Sequence, residues 1–186
     1  MTYERELKLA LEDRAALVGR LAAAGARRVR AETFEDNTVW DRDGSLRAAS
    51  CLLRLRRDGN ETRLTYKGAP RFERSVKVRV EHETTVGDFE RAEAILRALG
   101  YAPVRRYQKY REHWQLDGVE IAVDRTPIGD FVEFEGDAAS EVAARCGFDP
   151  RAALEADYLS LYDDYRRSHP EAPAEMVFAG AGPDDG

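Results

Sequence analysis

Apolar and polar residues alternate along most of this chain, and the alternation gathers the charged positions onto one side. In "YERELKLAL" (3–11), Glu4, Glu6 and Lys8 fall on one face of an extended strand. Leu7, Leu9 and Leu11 fall on the other face or run into a turn. The same period of two predicts eight strands, near residues 2–9, 28–41, 51–57, 61–67, 74–84, 103–115, 119–125 and 130–136. Asp58-Gly59 and Asp117-Gly118 are tight hairpin signals, and Pro127 and Gly129 suit a type I turn. Antiparallel neighbours follow for most pairs.

Helical periodicity interrupts this pattern. One helix starts near Asp13, carries Leu17, Val18 and Leu21 on one face, and stops at Gly25. A second starts after Asp88, carries Phe89, Ala92, Ile95, Leu96 and Leu99, and stops at Gly100. Each follows a strand with Glu-x-Glu and precedes an Arg-rich strand. That is the look of two strand–helix–strand halves, a likeness chance would produce about as often. A short helix is expected near 140–146 and a longer one from Pro150 to Arg167, with Asp149 as its cap. Leu154, Tyr158, Leu161, Tyr162 and Tyr165 give that helix its apolar and aromatic face. Residues 1–167 then form one domain, and 168–186, rich in Pro, Gly and Ala, a flexible tail with Met176, Val177 and Phe178 as docking points.

At 186 residues the chain is long enough to bury a core. A net charge of −6 opposes broad nucleic-acid binding, so no stable nucleic-acid partner is expected. No apolar run reaches transmembrane length and no signal-peptide pattern follows Met1, so a soluble cytoplasmic protein without a membrane partner is expected. Cys51 and Cys146 lack metal-ligand spacing.

The charged faces change the picture most. They carry both signs in clusters: Arg54 and Arg56, Lys67, Lys77 and Arg79 running into Glu81 and Glu83, Lys109 and Arg111, Asp124, then Glu133 and Glu135. For one strand, a solvated outer face is the ordinary explanation. Across eight strands a second arrangement gains weight, because closing the sheet removes its edges and turns the charged faces inward. Such a lumen must hold water, cations and a charged ligand, since unpaired charges in a dry interior cost several kcal/mol each. Arg and Lys suit phosphate oxygens, while carboxylates suit hard divalent cations. Trp40 and Trp114 are expected in packing rather than stacked on a ligand. His113 continues the Lys109–Arg111 face and could reach the mouth of the lumen, with a surface position the preferred expectation.

The set resembles the CYTH domain, or triphosphate tunnel metalloenzyme, superfamily over about residues 2–165. Its first-strand Glu-x-Glu-x-Lys stands here as Glu4, Glu6 and Lys8, and its paired arginines match Arg54 and Arg56. Lys67, the Arg79–Glu81–Glu83 strand, Lys109 with Arg111, Asp124, and Glu133 with Glu135 follow in the family's order. The resemblance implies an α+β fold, an eight-stranded antiparallel closed β-barrel with helices outside. It implies a tunnel where Lys8, Arg54, Arg56, Lys67, Arg79, Lys109 and Arg111 bind a triphosphate. Glu4, Glu6, Asp124, Glu133 and Glu135 would hold one or two Mg²⁺ or Mn²⁺ ions. Lys109 and Arg111 would neutralise the leaving group, and Glu81 and Glu83 would orient water or a second metal, or else pair with neighbouring Arg and Lys. Homodimers occur in the family.

Hydrolysis of inorganic triphosphate, thiamine triphosphate or a nucleoside triphosphate is the first expectation. Class IV adenylyl cyclases carry a His-Phe motif before Glu-x-Glu-x-Lys, and here Glu4 lies three residues after Met1. Cyclisation of ATP to cyclic AMP and diphosphate is the alternative, and a non-catalytic polyphosphate- or nucleotide-binding module the third.

Overall fold

The computed structural model describes residues 3–180. Its strands are β1 (Tyr3–Leu11), β2 (Arg27–Asp41), β3 (Leu52–Asp58), β4 (Glu61–Lys67), β5 (Arg71–Glu73), β6 (Val76–Val86), β7 (Ala102–Leu116), β8 (Val119–Thr126) and β9 (Gly129–Glu135). They follow the order β1-β9-β8-β7-β2-β3-β4-β6, and β6 pairs back onto β1, closing an eight-stranded antiparallel barrel. The ninth, β5, was not expected. It takes up the edge of β6 beyond the end of β4, at Val76–Val78. The β7–β8 hairpin turns on Asp117 and Gly118, both at positive φ (49° and 80°), as a two-residue turn matched to strand twist requires.

Helices cover the apolar outer face. They are α1 (Arg14–Ala23), α2 (Ser45–Ala48), α3 (Phe89–Ala98), α4 (Ala139–Arg145) and α5 (Tyr158–Ser168). Asp13 caps α1 by accepting from the Ala16 amide at 2.9 Å, and Asp88 caps α3 from Arg91 at 2.9 Å. Leu7, Leu9 and Leu11 are buried with Leu17 and Leu21 of α1 and Val142 and Ala143 of α4. Trp40 and Leu55 pack under Ala92 and Leu96 of α3. Trp114 lies in the cluster beneath α1 and α4, so both tryptophans serve the outer packing. Among the described residues no helix is long and apolar enough to cross a membrane.

The long helix expected from Pro150 is a correction. Asp149 and Pro150 start only a 3₁₀ turn, Pro150–Ala152, and α5 begins at Tyr158, capped by Asp157. The chain leaves the helical path at Ala153 (ψ 142°), and the Leu154 amide then donates to the Lys8 carbonyl at 2.8 Å. Pairing with β1 outcompetes continuation of the helix there.

After α5 the chain returns along β7. The Gln108 amide donates to the Met176 carbonyl at 2.8 Å, and the Met176 amide to the Arg106 carbonyl at 3.3 Å. Met176 is fully buried, and the Phe178 ring packs on Tyr110 with centroids 5.2 Å apart. The remainder of the expected tail, 181–186, lies outside the described residues.

Candidate active site

Inward-facing side chains from all eight barrel strands surround a cavity of about 880 Å³. Every site residue named from the sequence except Asp124 lines it, each at an inward position set by strand alternation. Lys77 lines it too. Opposite charges are matched across the lumen. Glu4 accepts from Lys67 Nζ and Arg79 Nε, each at 2.7 Å, and Lys67 also reaches Glu81 at 3.1 Å. Lys77 donates to Glu6 at 3.0 Å, and Lys8 lies 3.3 Å from Glu133, which also pairs with Arg111. Glu83 accepts from Arg56 at 3.3 Å, Arg63 at 2.8 Å and the Thr65 hydroxyl at 2.8 Å. Glu81 and Glu83 both make ion pairs with neighbouring basic side chains.

Burial alone would raise the carboxyl pKa values here, but the cations outweigh it in most cases. Lys67 and Arg79 hold Glu4 well below the usual range, and Arg111, Lys8 and Lys109 do the same for Glu133. Glu81 moves up, because desolvation and the Glu4 charge together exceed the pull of Lys67.

Asp124 is set apart. It is completely buried in the wall and accepts from Lys109 Nζ at 3.0 Å, Arg111 Nε at 2.6 Å and the Tyr158 hydroxyl at 2.5 Å. Those bonds aim Lys109 and Arg111 and leave the carboxylate little capacity for another ligand.

Three participants were not among the site residues named from the sequence. Glu35 on β2, also fully buried, accepts from Arg56 at 3.1 Å and lies 3.6 Å from Lys109. The adjacent acids Glu35 and Asp36 gave no parity signal, because bulges shift the β2 register after Arg28 and Arg30. Tyr158 was expected to pack the final helix on the barrel, with closure of a tunnel end by that helix as the alternative. Its ring sits 3.8 Å from Lys8 Nζ and its hydroxyl binds Asp124. His113, expected on the surface, lines the cavity with its side chain 17% exposed and binds Glu120 at 2.9 Å through Nδ1.

The cavity has two unlike ends. At one, an apolar plug packs Val39, Tyr107 and Phe131 of the barrel with Tyr158 and Tyr162 of α5 and with Met176. Lys8, Lys109 and Arg54 stand against this plug, Arg54 donating to the Tyr107 hydroxyl at 3.1 Å. The other end is acidic. Glu135 has no ion-pair partner among the described residues. Although exposed by area, its carboxyl group is crowded by protein. It is pushed up to about 8 by that desolvation and by the charges of Glu4, Glu81 and Glu120, against the pull of Lys67.

The residue types at this acidic end suit a cation. The donors are carboxylate oxygens, the ligand type of hard divalent ions, and Glu4, Glu81 and Glu120 all act on Glu135 there. Among the described residues no three such groups stand close enough to cage an ion as they are, because Glu4, Glu6 and Glu133 are drawn to lysine and arginine.

Comparison with known proteins agrees with this architecture. A Methanocaldococcus jannaschii protein provisionally named an adenylate cyclase is 29% identical over 133 residues, 71% of this chain and 75% of its own. A Vibrio parahaemolyticus structure with the same provisional name superposes with a TM-score of 0.76 at 17% identity, over 87% of this chain and 98% of that one. A Hippeastrum protein, also provisionally named an adenylyl cyclase and described as having a dominant triphosphatase activity, gives 0.60 at 16% identity, over 96% and 92%. The sequence profile of the CYTH domain matches residues 2–151, and the chain belongs to the CYTH domain family.

Proposed function

We propose that this protein hydrolyses a triphosphate bound in the barrel, with Mg²⁺ or Mn²⁺ as its cofactor. The observation that carries the reading is the cation-lined cavity with an acidic end. Lys8, Arg54, Arg56, Lys77, Lys109 and Arg111 converge on its deep part, and the Tyr158 ring there is already covered by Lys8 at 3.8 Å. A polyanion satisfies that lining, whereas a stacked base would have to displace the ammonium group.

The charged walls of the cavity neutralise one another. A triphosphate takes over the guanidinium and ammonium groups, in bonds stronger than neutral ones. The carboxylates so released, Glu4, Glu6 and Glu133 with Glu135, are the groups that would hold the metal. The metal supplies charge neutralisation on phosphoryl oxygens. Asp124 keeps Lys109 and Arg111 pointed at the departing diphosphate, where negative charge grows as the bond to the terminal phosphorus breaks.

The cyclase reading draws on the names of the relatives from Methanocaldococcus and Vibrio, and the Hippeastrum protein joins both activities in one description. The deciding experiment incubates the protein with inorganic triphosphate, thiamine triphosphate and ATP, each with Mg²⁺ or Mn²⁺, and measures phosphate, diphosphate and cyclic AMP. Phosphate and diphosphate in equal amounts from inorganic triphosphate are expected. Cyclic AMP with diphosphate from ATP would replace hydrolysis by cyclisation, and tight binding without turnover would make the protein a sensor.

A further inference from the structure

We propose that His113 is the general base of this hydrolysis and that Glu120 is its positioning residue; the inference rests on the triphosphatase reading above. His113 lies on β7 in an inward row with Lys109 and Arg111. Residues two apart on a strand face are about 7 Å apart, so this row runs from the plug toward the mouth in steps of roughly two phosphate units. Lys109 stands beside the Tyr158 plug, Arg111 on Glu133 and Asp124, and His113 on Glu120 of β8.

The His113 side chain is bound at one nitrogen only. Nδ1 meets Glu120 Oε1 at 2.9 Å, while Nε2 is shielded from solvent and has no hydrogen-bond partner among the described residues. A carboxylate on Nδ1 favours the proton there and leaves the Nε2 lone pair as an acceptor. The charged groups around the ring are Arg111 on its own strand, Arg30 as its cross-strand partner on β2, and Glu120 on β8. Behind Glu120 come Arg56 of β3 and Glu135 of β9.

In-line displacement can run along this row. The diphosphate portion lies deep, against Lys109 and Arg111, and the terminal phosphorus faces His113. The water oxygen bonds to that phosphorus while the bridging P–O bond breaks, and diphosphate leaves with the electron pair. The water proton passes to Nε2 and then to solvent.

The test measures kcat and KM against pH for inorganic triphosphate with Mg²⁺, in the wild type, His113→Asn and Glu120→Gln. Asn keeps a donor toward Glu120 and removes the base. For His113→Asn, kcat should fall about 10²–10³-fold with KM within about threefold, and the acid limb of the profile should vanish. For Glu120→Gln the fall in kcat should be smaller, about tenfold, with KM within about threefold and the acid limb kept. A His113→Asn enzyme within threefold of wild type, or one reduced equally at every pH with its acid limb intact, would overturn the proposal while leaving the triphosphatase reading standing. A wild type that turns over no triphosphate would mark failure of that reading, and the base role would fall with it.

Discussion

Glu6 of β1 and Glu135 of β9 stand directly opposite each other across an antiparallel pair. Like charges in that position repel. Glu6 is answered by Lys77 at 3.0 Å, whereas Glu135 is left to Glu4, Glu81 and Glu120. The barrel therefore carries a built-in electrostatic defect at its mouth.

That defect should appear in the pH dependence of stability. Glu135 titrates at about 8 in the folded protein and near 4.5 when unperturbed. Between those values the folded state binds the extra proton, so its contribution to stability falls as pH rises through the window. In metal-free buffer, Glu135→Gln should flatten the decline of Tm between about pH 5 and 8. Parallel Tm curves for the two proteins would show that Glu135 is not the titrating group.

Arg56 and Glu35 form a buried pair, and removing one partner strands the other. Arg56→Ala should destabilise by about 3–5 kcal/mol in urea unfolding. Adding Glu35→Gln should recover part of that loss. A double variant no more stable than Arg56→Ala alone would mean that Lys109, 3.6 Å from Glu35, suffices to hold it.

Glu4 ties Lys67 to Arg79, and in the proposed function it changes allegiance to a divalent ion. Glu4→Gln should keep the fold, by circular dichroism, and lose metal-dependent turnover. Turnover within a few-fold of wild type, at unchanged Mg²⁺ requirement, would remove Glu4 from the metal site.

Met176 lies outside the matched region of the chain yet is wholly buried in the plug. Met176→Ala should cost about 2–5 kcal/mol, read from the urea midpoint at unchanged slope. A loss under about 0.5 kcal/mol would show that the plug tolerates the cavity or that this segment detaches.

The barrel strands were legible because most of them keep a period of two, β2 with its register shifts being the exception. Which face looks inward was not a matter of period. It came from the recurrence of both signs of charge on strand after strand. Most of the cavity lining followed from that alternation, as with Arg54 and Arg56 or Glu133 and Glu135. Legibility failed where local signals compete with tertiary ones. Asp149-Pro150 is a sound helix start, but it yields one turn because Leu154 pairs with Lys8 of β1. Glu35 was hidden by register shifts in β2, and no sequence pattern tells that Tyr158 turns its hydroxyl to Asp124.

The segment around Met176 also has a meaning for the sheet. β8 covers β7 only from Tyr110 onward, so the Arg106–Gln108 stretch would otherwise offer free amide and carbonyl groups on that side. Met176 occupies them with one parallel bridge. A chain cut before this point would leave an open template for strand addition by another molecule, so shortened versions should self-associate and come out of solution.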